Sequence, residues 1–291
     1  MGGGKVEVYL DIASYYSYIA YVQVRQIGEF LRRNGVEIVL HPVLIGGINV
    51  GSGNAPPWKV PAKARYGKYD MRRAADAVGL KDVSPPGDLM VAGKTLLPMR
   101  ALTHIRTAFP PDVYVTAFGY LFHAFWTLHR VPNDAATLAD VLAEIPADFG
   151  LDCFVFPHSP HSPSSHHHSA SSSSSHSTPS SVDEEKKKKK LFTPEQISRI
   201  LFAATSDRDV KDALKARVDE ALARDAFGAP WVWVTPTSAT DAGTAGHHHS
   251  EPFFGSDRWH WVCDFLGVPR PPALLAPLRG EKKEEEVKAS L

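Results

Sequence analysis

The first forty residues switch hydrophobic period twice, and that switch constrains the fold more than any other feature of the chain. Val6, Val8, Leu10 and Ile12 alternate with polar or aromatic neighbours, the spacing of a strand. Tyr18, Ile19, Tyr21, Val22, Val24, Ile27 and Leu31 follow at helical spacing, and Val36, Ile38, Val39 and Leu40 make a largely buried strand. The chain therefore opens as a βαβ unit. After a Gly-rich stretch, Gly46 to Gly53, helical spacing is expected over 63–78, 96–108, 111–129, 134–145, 194–204 and 207–225. Strand character returns at Trp231 to Val234 and at Phe253 and Phe254. A last helix is expected from Ser256 to Leu266, with Gly267 where a C-terminal cap belongs.

Two β-rich ends thus enclose a helical middle. A βαβ unit and a ββα unit can share one sheet, with the remaining helices outside it. That is an α/β layout, a thioredoxin-like fold with an inserted all-helical subdomain. The expected division is 5–45 and 226–270 for the thioredoxin-like domain, 60–225 for the helical insertion, and 274–291 for a charged tail. The length of 291 residues suits two units or one domain with a large insertion.

Residues 157–181 hold 13 serines, and Asp183, Glu184, Glu185 and Lys186 to Lys190 follow. So little apolar surface cannot offset ordering entropy of about 1–2 kcal/mol per residue, so 157–190 is expected to be a disordered linker. Thr193 with Gln196, and Pro194 at the first helical position, spell a capping box where the fold resumes. A second polar interruption runs from about 236 to 250. Nine of the 14 histidines sit in these two tracts, and a solvated low-complexity segment is the expectation there rather than a metal site.

Lys+Arg 32 against Asp+Glu 32 leaves no net charge, which removes the broad positive field of a nonspecific nucleic-acid binder. The apolar stretch from Val113 to Leu128 is too short for a span and contains Thr116, Gly119 and His123, so it reads as a buried helix and not a membrane one. The start, MGGGKVEVYL, has no apolar signal core, and Val6 stands where a myristoylation signal wants Ser or Thr. Cys153 and Cys263 form neither a disulfide framework nor a C-x-x-C pair. A reducing compartment is expected: the cytosol, with mitochondrial or peroxisomal residence as alternatives.

Chemistry concentrates at junctions. After the first strand comes Asp11-Ile12-Ala13-Ser14-Tyr15-Tyr16-Ser17, an S-x-x-S where a thioredoxin-like oxidoreductase has C-x-x-C at a helix N-terminus. Hydroxyls there cannot exchange disulfides, yet they can stabilise a thiolate brought by a ligand. Ser14 also suits a plain helix cap, so both readings stand on local sequence. Ala229-Pro230 precedes a strand, the setting of a cis-proline that offers backbone to an extended peptide. Phe254-Gly255-Ser256-Asp257-Arg258 runs through glycine into a helix start, where amides and a hydroxyl can hold a carboxylate and Asp257 an amine. Ser52-Gly53-Asn54-Ala55-Pro56-Pro57, followed by Pro61, Lys63 and Tyr66, is too rich in special-geometry residues for a spacer. No P-loop, dinucleotide fingerprint or G-x-S-x-G elbow is present.

Taken in order, D-x-x-S-x-Y-S-Y, the S-G-N-x-P-P loop, Met99-Arg100, A-F-G-x-P and F-G-S-D-R resemble the kappa-class glutathione transferases and the related 2-hydroxychromene-2-carboxylate isomerases, over roughly 5–145 and 191–273. The resemblance implies a DsbA-like thioredoxin fold, glutathione as co-substrate, no metal, a small hydrophobic electrophile and a homodimer. It implies that Ser14 is catalytic, its hydroxyl bonding the glutathione sulfur, and that Tyr16 belongs to the same site. Asn54 and Lys63 would lie near the glycyl end, and Ala229, before Pro230, would pair with the cysteinyl backbone. Ser256 and Asp257 would hold the γ-glutamyl group. Two departures, Tyr15 for the family's usual proline and Ala229 for a bulkier residue, bear on the electrophile pocket. The activity implied is glutathione conjugation. The alternatives are glutathione-dependent isomerisation of a 2-hydroxychromene-2-carboxylate and a non-catalytic glutathione-binding role.

Overall fold

A computed structural model of the chain describes residues 2–153, 155, 189–237 and 250–275. Strand β1 (Gly4–Leu10), helix α1 (Tyr15–Arg33) and strand β2 (Val36–Pro42) form the opening unit, with β1 and β2 parallel and Val8 opposite Leu40. From the other end of the chain, β3 (Trp231–Pro236) pairs antiparallel with β1, and β4 (Glu251–Phe254) pairs antiparallel with β3. The sheet order is β2-β1-β3-β4. Residues from the two ends of the sequence therefore lie side by side, with Val8 facing Val232. This is the α/β fold expected, a thioredoxin-like sheet with many helices.

One face of the sheet is apolar throughout. Val6, Val8 and Leu10 of β1 join α1 residues Ile19, Val22 and Ile27, and Val262 and Leu266 of α10 (Trp259–Leu266), in one buried cluster. The cluster extends into α6 (Pro111–Trp126), whose Phe118 and Phe122 stack at a centroid distance of 5.2 Å while Phe122 stacks on Tyr18 at 5.1 Å. The long apolar stretch is thus a buried helix, ending a little before its sequence spacing predicts. Among the described residues no helix is long and apolar enough to cross a membrane.

The helical middle runs α2 (Ile45–Ser52), α3 (Pro61–Val78), α4 (Leu89–Ala92), α5 (Leu96–Ala108), α6, α7 (Ala135–Glu144), α8 (Pro194–Thr205) and α9 (Arg208–Ala223). All the helices expected there are present, with bounds that shift by no more than a few residues. The capping box at α8 forms in full, Thr193 and Gln196 each bonding the other's backbone N–H. Helix α2 departs from expectation, since the Gly-rich stretch is itself helical. The reason is packing against α9: a Cβ on Gly47 would come within 3.1 Å of Val218 and one on Gly51 within 2.4 Å of Leu222. A glycine costs a helix about 1 kcal/mol relative to alanine, but here it is what permits the close approach.

Three boundaries are also corrected. The last long helix begins at Trp259, so Ser256 and Asp257 lie on the connection before it, where Gly255 turns the chain at φ 98°. Lys189 and Lys190, expected in the linker, belong to the folded part: Lys189 O accepts Ala147 N at 2.8 Å and Lys190 bridges Pro146. Leu274 and Leu275, expected in the tail, end a short helix α11 (Pro272–Leu275). The rest of the linker and tail, and 238–249 of the second interruption, lie outside the described residues.

Candidate functional site

Several of the candidate residues gather near the end of β1. Between Leu10 and α1 the chain makes an Asx turn: Asp11 Oδ1 accepts Ala13 N at 2.9 Å and Asp11 O accepts Ser14 N at 3.0 Å. Trp126 of α6 donates its indole N–H to Ile12 O at 2.7 Å. This held loop delivers Ser14 to the N-cap of a 19-residue helix, where its Oγ accepts Ser17 N at 3.2 Å. The capping reading is therefore correct as far as it goes. The same hydroxyl donates to Ala229 O at 2.7 Å, and the Ala229–Pro230 peptide is cis. Residues 215 positions apart thus meet at one atom pair.

Asn54 and the Ser256–Asp257 pair flank that contact. Asn54 Nδ2 donates to Phe227 O at 2.6 Å, which ties the loop after α2 to the segment leading into Pro230. Gly255 N donates to Pro230 O at 3.3 Å, which brings the β4–α10 connection alongside. Ser256 is buried, while Asp257 is exposed and paired with Arg258. Phe227 and Phe254, both exposed, pack at a centroid distance of 4.5 Å and present an aromatic surface between the two flanks.

Tyr16 and Lys63 sit on the helical side. The Tyr16 hydroxyl bonds the Asp70 carboxylate of α3, and burial together with that acceptor pushes the phenol above its ordinary range. Lys63 is exposed in the first turn of α3, and no bond joins it to another candidate residue. Tyr15, which stands in place of a proline, is buried against Trp126 at 5.2 Å and donates to Met71 O at 2.7 Å. It links α1 to α3.

In the sequence Asp11 figures only as a letter of the first motif. In the structure it is fully buried, and its carboxylate accepts three hydrogen bonds, from Ala13 N, Ile45 N and Thr95 Oγ1. A charged residue closing an apolar strand is the signal that could have found it. The cysteines take no part. Cys263 is buried, and burial pushes its thiol up to about 11, while Cys153 is an exposed free thiol in another part of the chain.

The model of the DSBA-like thioredoxin domain matches residues 5–152. The chain belongs to that family. Across nearly its whole length it is also similar to glutathione S-transferase kappa 1 of Caenorhabditis elegans, 22% identical over 269 residues, covering 92% of each protein. A solved 2-hydroxychromene-2-carboxylate isomerase superposes with a TM-score of 0.57 at 15% identity, covering 90% of this chain and 94% of that one. A probable DsbA oxidoreductase from Streptomyces coelicolor does so with a TM-score of 0.50 at 14% identity, covering 92% of each chain. Within the DSBA-like family this member has Ser14 and Ser17 at the helix N-terminus and no C-x-x-C, so disulfide exchange through its own sulfur at that position is not open to it.

Proposed function

We propose that the chain is a glutathione transferase that conjugates glutathione to small hydrophobic electrophiles through a thiolate stabilised by Ser14. The observation that carries this reading is the Ser14 hydroxyl at the head of α1, 2.7 Å from Ala229 O beside the cis Pro230. A peptide lying along that segment would place its cysteinyl sulfur at the helix N-terminus. There Ser14 would turn its hydroxyl from Ala229 O to the sulfur. Asn54 and Lys63 would face the glycyl carboxylate, Ser256 and Asp257 the γ-glutamyl group, and Tyr16 would stand beside the sulfur. The likeness to the kappa transferase over 92% of both proteins supports glutathione as the co-substrate.

Magnitudes agree with one hydroxyl and one helix end. Lowering a thiol from about 8.5 to about 6.5 takes ~2.7 kcal/mol of preference for the thiolate. A hydrogen bond to a charged group contributes about 1.5–3 kcal/mol and a helix N-terminus about 0.3–1 kcal/mol. The glutathione thiol gives its proton to solvent, and the thiolate then forms a C–S bond to the electrophile as the leaving group departs or the π-bond accepts the electron pair. Phe227 and Phe254 would offer the electrophile its apolar contact.

Thiolate absorbance of bound glutathione, titrated in wild type and in Ser14→Ala, tests the reading. The variant should titrate about 1–2 pH units higher, the equivalent of one charged hydrogen bond, with turnover of a generic electrophile falling in parallel. Identical titrations would reduce Ser14 to a cap. Glutathione binding without conjugation would turn the reading to the isomerase, if a 2-hydroxychromene-2-carboxylate is turned over, or to a non-catalytic binder if it is not.

A further inference from the structure

Helix α2 has no cap of its own. Its N-cap residue is Leu44, which offers no side-chain acceptor, and the free amide of Ile45 is taken instead by Asp11 Oδ2 at 2.7 Å, from the far end of β1. The other carboxylate oxygen, Oδ1, holds Ala13 N of the loop before Ser14 and the Thr95 hydroxyl that heads α5. Each oxygen therefore serves a different part of the site. Oδ1 fixes the loop that delivers Ser14, and Oδ2 fixes the start of α2, whose other end leads through Gly53 into Asn54. We propose that Asp11 is a positioning residue that sets Asn54, at the glycyl end of the tripeptide site, relative to Ser14 at its cysteinyl centre. The functional part of this assignment rests on the glutathione reading above.

Among the described residues the carboxylate has no counter-charge. All three donors are neutral; burial pushes the group up to about 6, and the three hydrogen bonds work against that rise. Helix α2 carries no ionisable side chain, the first turn of α1 brings only the tyrosines 15, 16 and 18, and Lys94 before α5 is exposed. Protonating Asp11 takes one of its two oxygens out of service as an acceptor, and an amide in its place does the same at every pH.

Asp11→Asn separates the two oxygens. Its amide oxygen can keep the paired donors at Ala13 and Thr95, which leaves its NH2 facing the Ile45 amide. In ligand-free Asp11→Asn, hydrogen exchange of the α2 amides should quicken roughly tenfold while those of α1 stay protected. The KM for glutathione should rise roughly tenfold with kcat changed less than about threefold, a split that general loss of stability does not produce. In wild type that KM should rise as pH falls through about 6, and in Asp11→Asn it should be flat across the same range. Unchanged α2 exchange in the variant, or a KM that keeps the wild-type pH profile, overturns the proposal. The exchange measurement needs no glutathione, so failure of wild type to bind glutathione would sink the functional reading and leave the structural role of Asp11 to be decided separately. Should Asp11→Asn not fold, α2 exchange corrected for the intrinsic rate takes its place in His41→Phe, which lacks the imidazole that acts over the same range: acceleration between about pH 7 and about pH 5, either side of the Asp11 titration, supports the assignment, and a flat profile overturns it.

Discussion

On one face of the sheet Val6, Val8 and Leu10 pack only on carbon, against α1 and α10. On the other, Glu7, Tyr9 and His41 are as deeply buried, yet they are joined by polar contacts to each other and to α9. His41 Nε2 bonds Glu7 Oε1 at 2.9 Å, Tyr9 OH donates to Glu220 Oε1 at 2.7 Å, and Arg224 reaches Glu7 Oε2 at 3.1 Å and also bonds the Tyr9 hydroxyl. Tyr9 stacks on His41 at 4.9 Å, and the Arg224 guanidinium lies 5.1 Å over Trp233. The first face accepts any well-shaped apolar partner. The second is satisfied only when Glu220 and Arg224 arrive at one place, which fixes the seat of α9, and through Gly47 and Gly51 that of α2. The polar face thus bears on where α9 sits and, through α2, on where Asn54 stands.

Leu10→Ala on the carbon face should give the largest effect, about 2–5 kcal/mol by chemical denaturation, because a fully buried leucine leaves a cavity. Glu7→Gln on the polar face should cost about 1–3 kcal/mol, since Arg224 and Lys5 lose their buried anion while Arg224 keeps part of its hydration. Equal losses for the two would remove the contrast between the faces.

The pH dependence of stability sharpens the same contrast. Burial, with the Arg217 charge next, holds the His41 imidazole down to about 3, outweighing its hydrogen bond to Glu7. The close His41–Glu7 pair is therefore a neutral imidazole donating from Nε2 to a carboxylate, with Nδ1 an acceptor that has no partner among the described residues. For Glu7, burial acts to make the carboxyl a weaker acid, but the bond from His41 and the charges of Arg224 and Lys5 outweigh it and hold the group below the usual carboxylate range. An imidazole depressed on folding binds fewer protons than in the unfolded chain, so its contribution is fully present above about 6.5 and is lost as pH falls toward 3. Wild type should lose on the order of 2 kcal/mol from this group between about pH 7 and about pH 5. In His41→Phe, which keeps the ring on Tyr9, that component of the slope should vanish. A wild-type slope retained in the variant would assign the acid loss to other groups.

Much of the carbon face is legible in the sequence, because alternation in β1 and the 3.6-residue spacing of α1 and α6 report burial directly. The polar face is not. Glu7 and Tyr9 read as the solvent-facing partners of an alternating strand, and the groups that bond them, at Glu220 and Arg224, lie more than 200 residues away. Helix α2 is hidden for a related reason, as its glycines count against a helix until the side chains of α9 are in place. The site divides the same way. Ser14, Ala229 and Asn54 stand out from local motifs, and the structure brings them together. The start of the last helix is harder to place, since F-G-S-D-R looks like a cap while Gly255 delays the helix to Trp259. Asp11 has no legible role because two of its three donors, Ile45 and Thr95, come from elsewhere in the chain.

Tyr9→Phe should produce the smallest effect and the most discriminating one. It removes a single hydroxyl and keeps the ring stacked on His41. Glu220 retains Arg217 and Arg224, and Arg224 retains Glu7, so no charge is left without a partner. If the contacts act independently, the loss should be about 0.5–1.5 kcal/mol, the worth of one hydrogen bond. If they seat α9 as a unit, Tyr9→Phe and Glu7→Gln combined should cost less than their sum, because the first change would already have loosened the helix. A double-mutant cycle in urea measures that coupling, and α2 amide exchange in the single variant reads its consequence. Faster exchange in α2 after loss of one hydroxyl on β1 would show that the polar face positions the site. Additive losses with α2 unmoved would make it only a second way of burying a sheet.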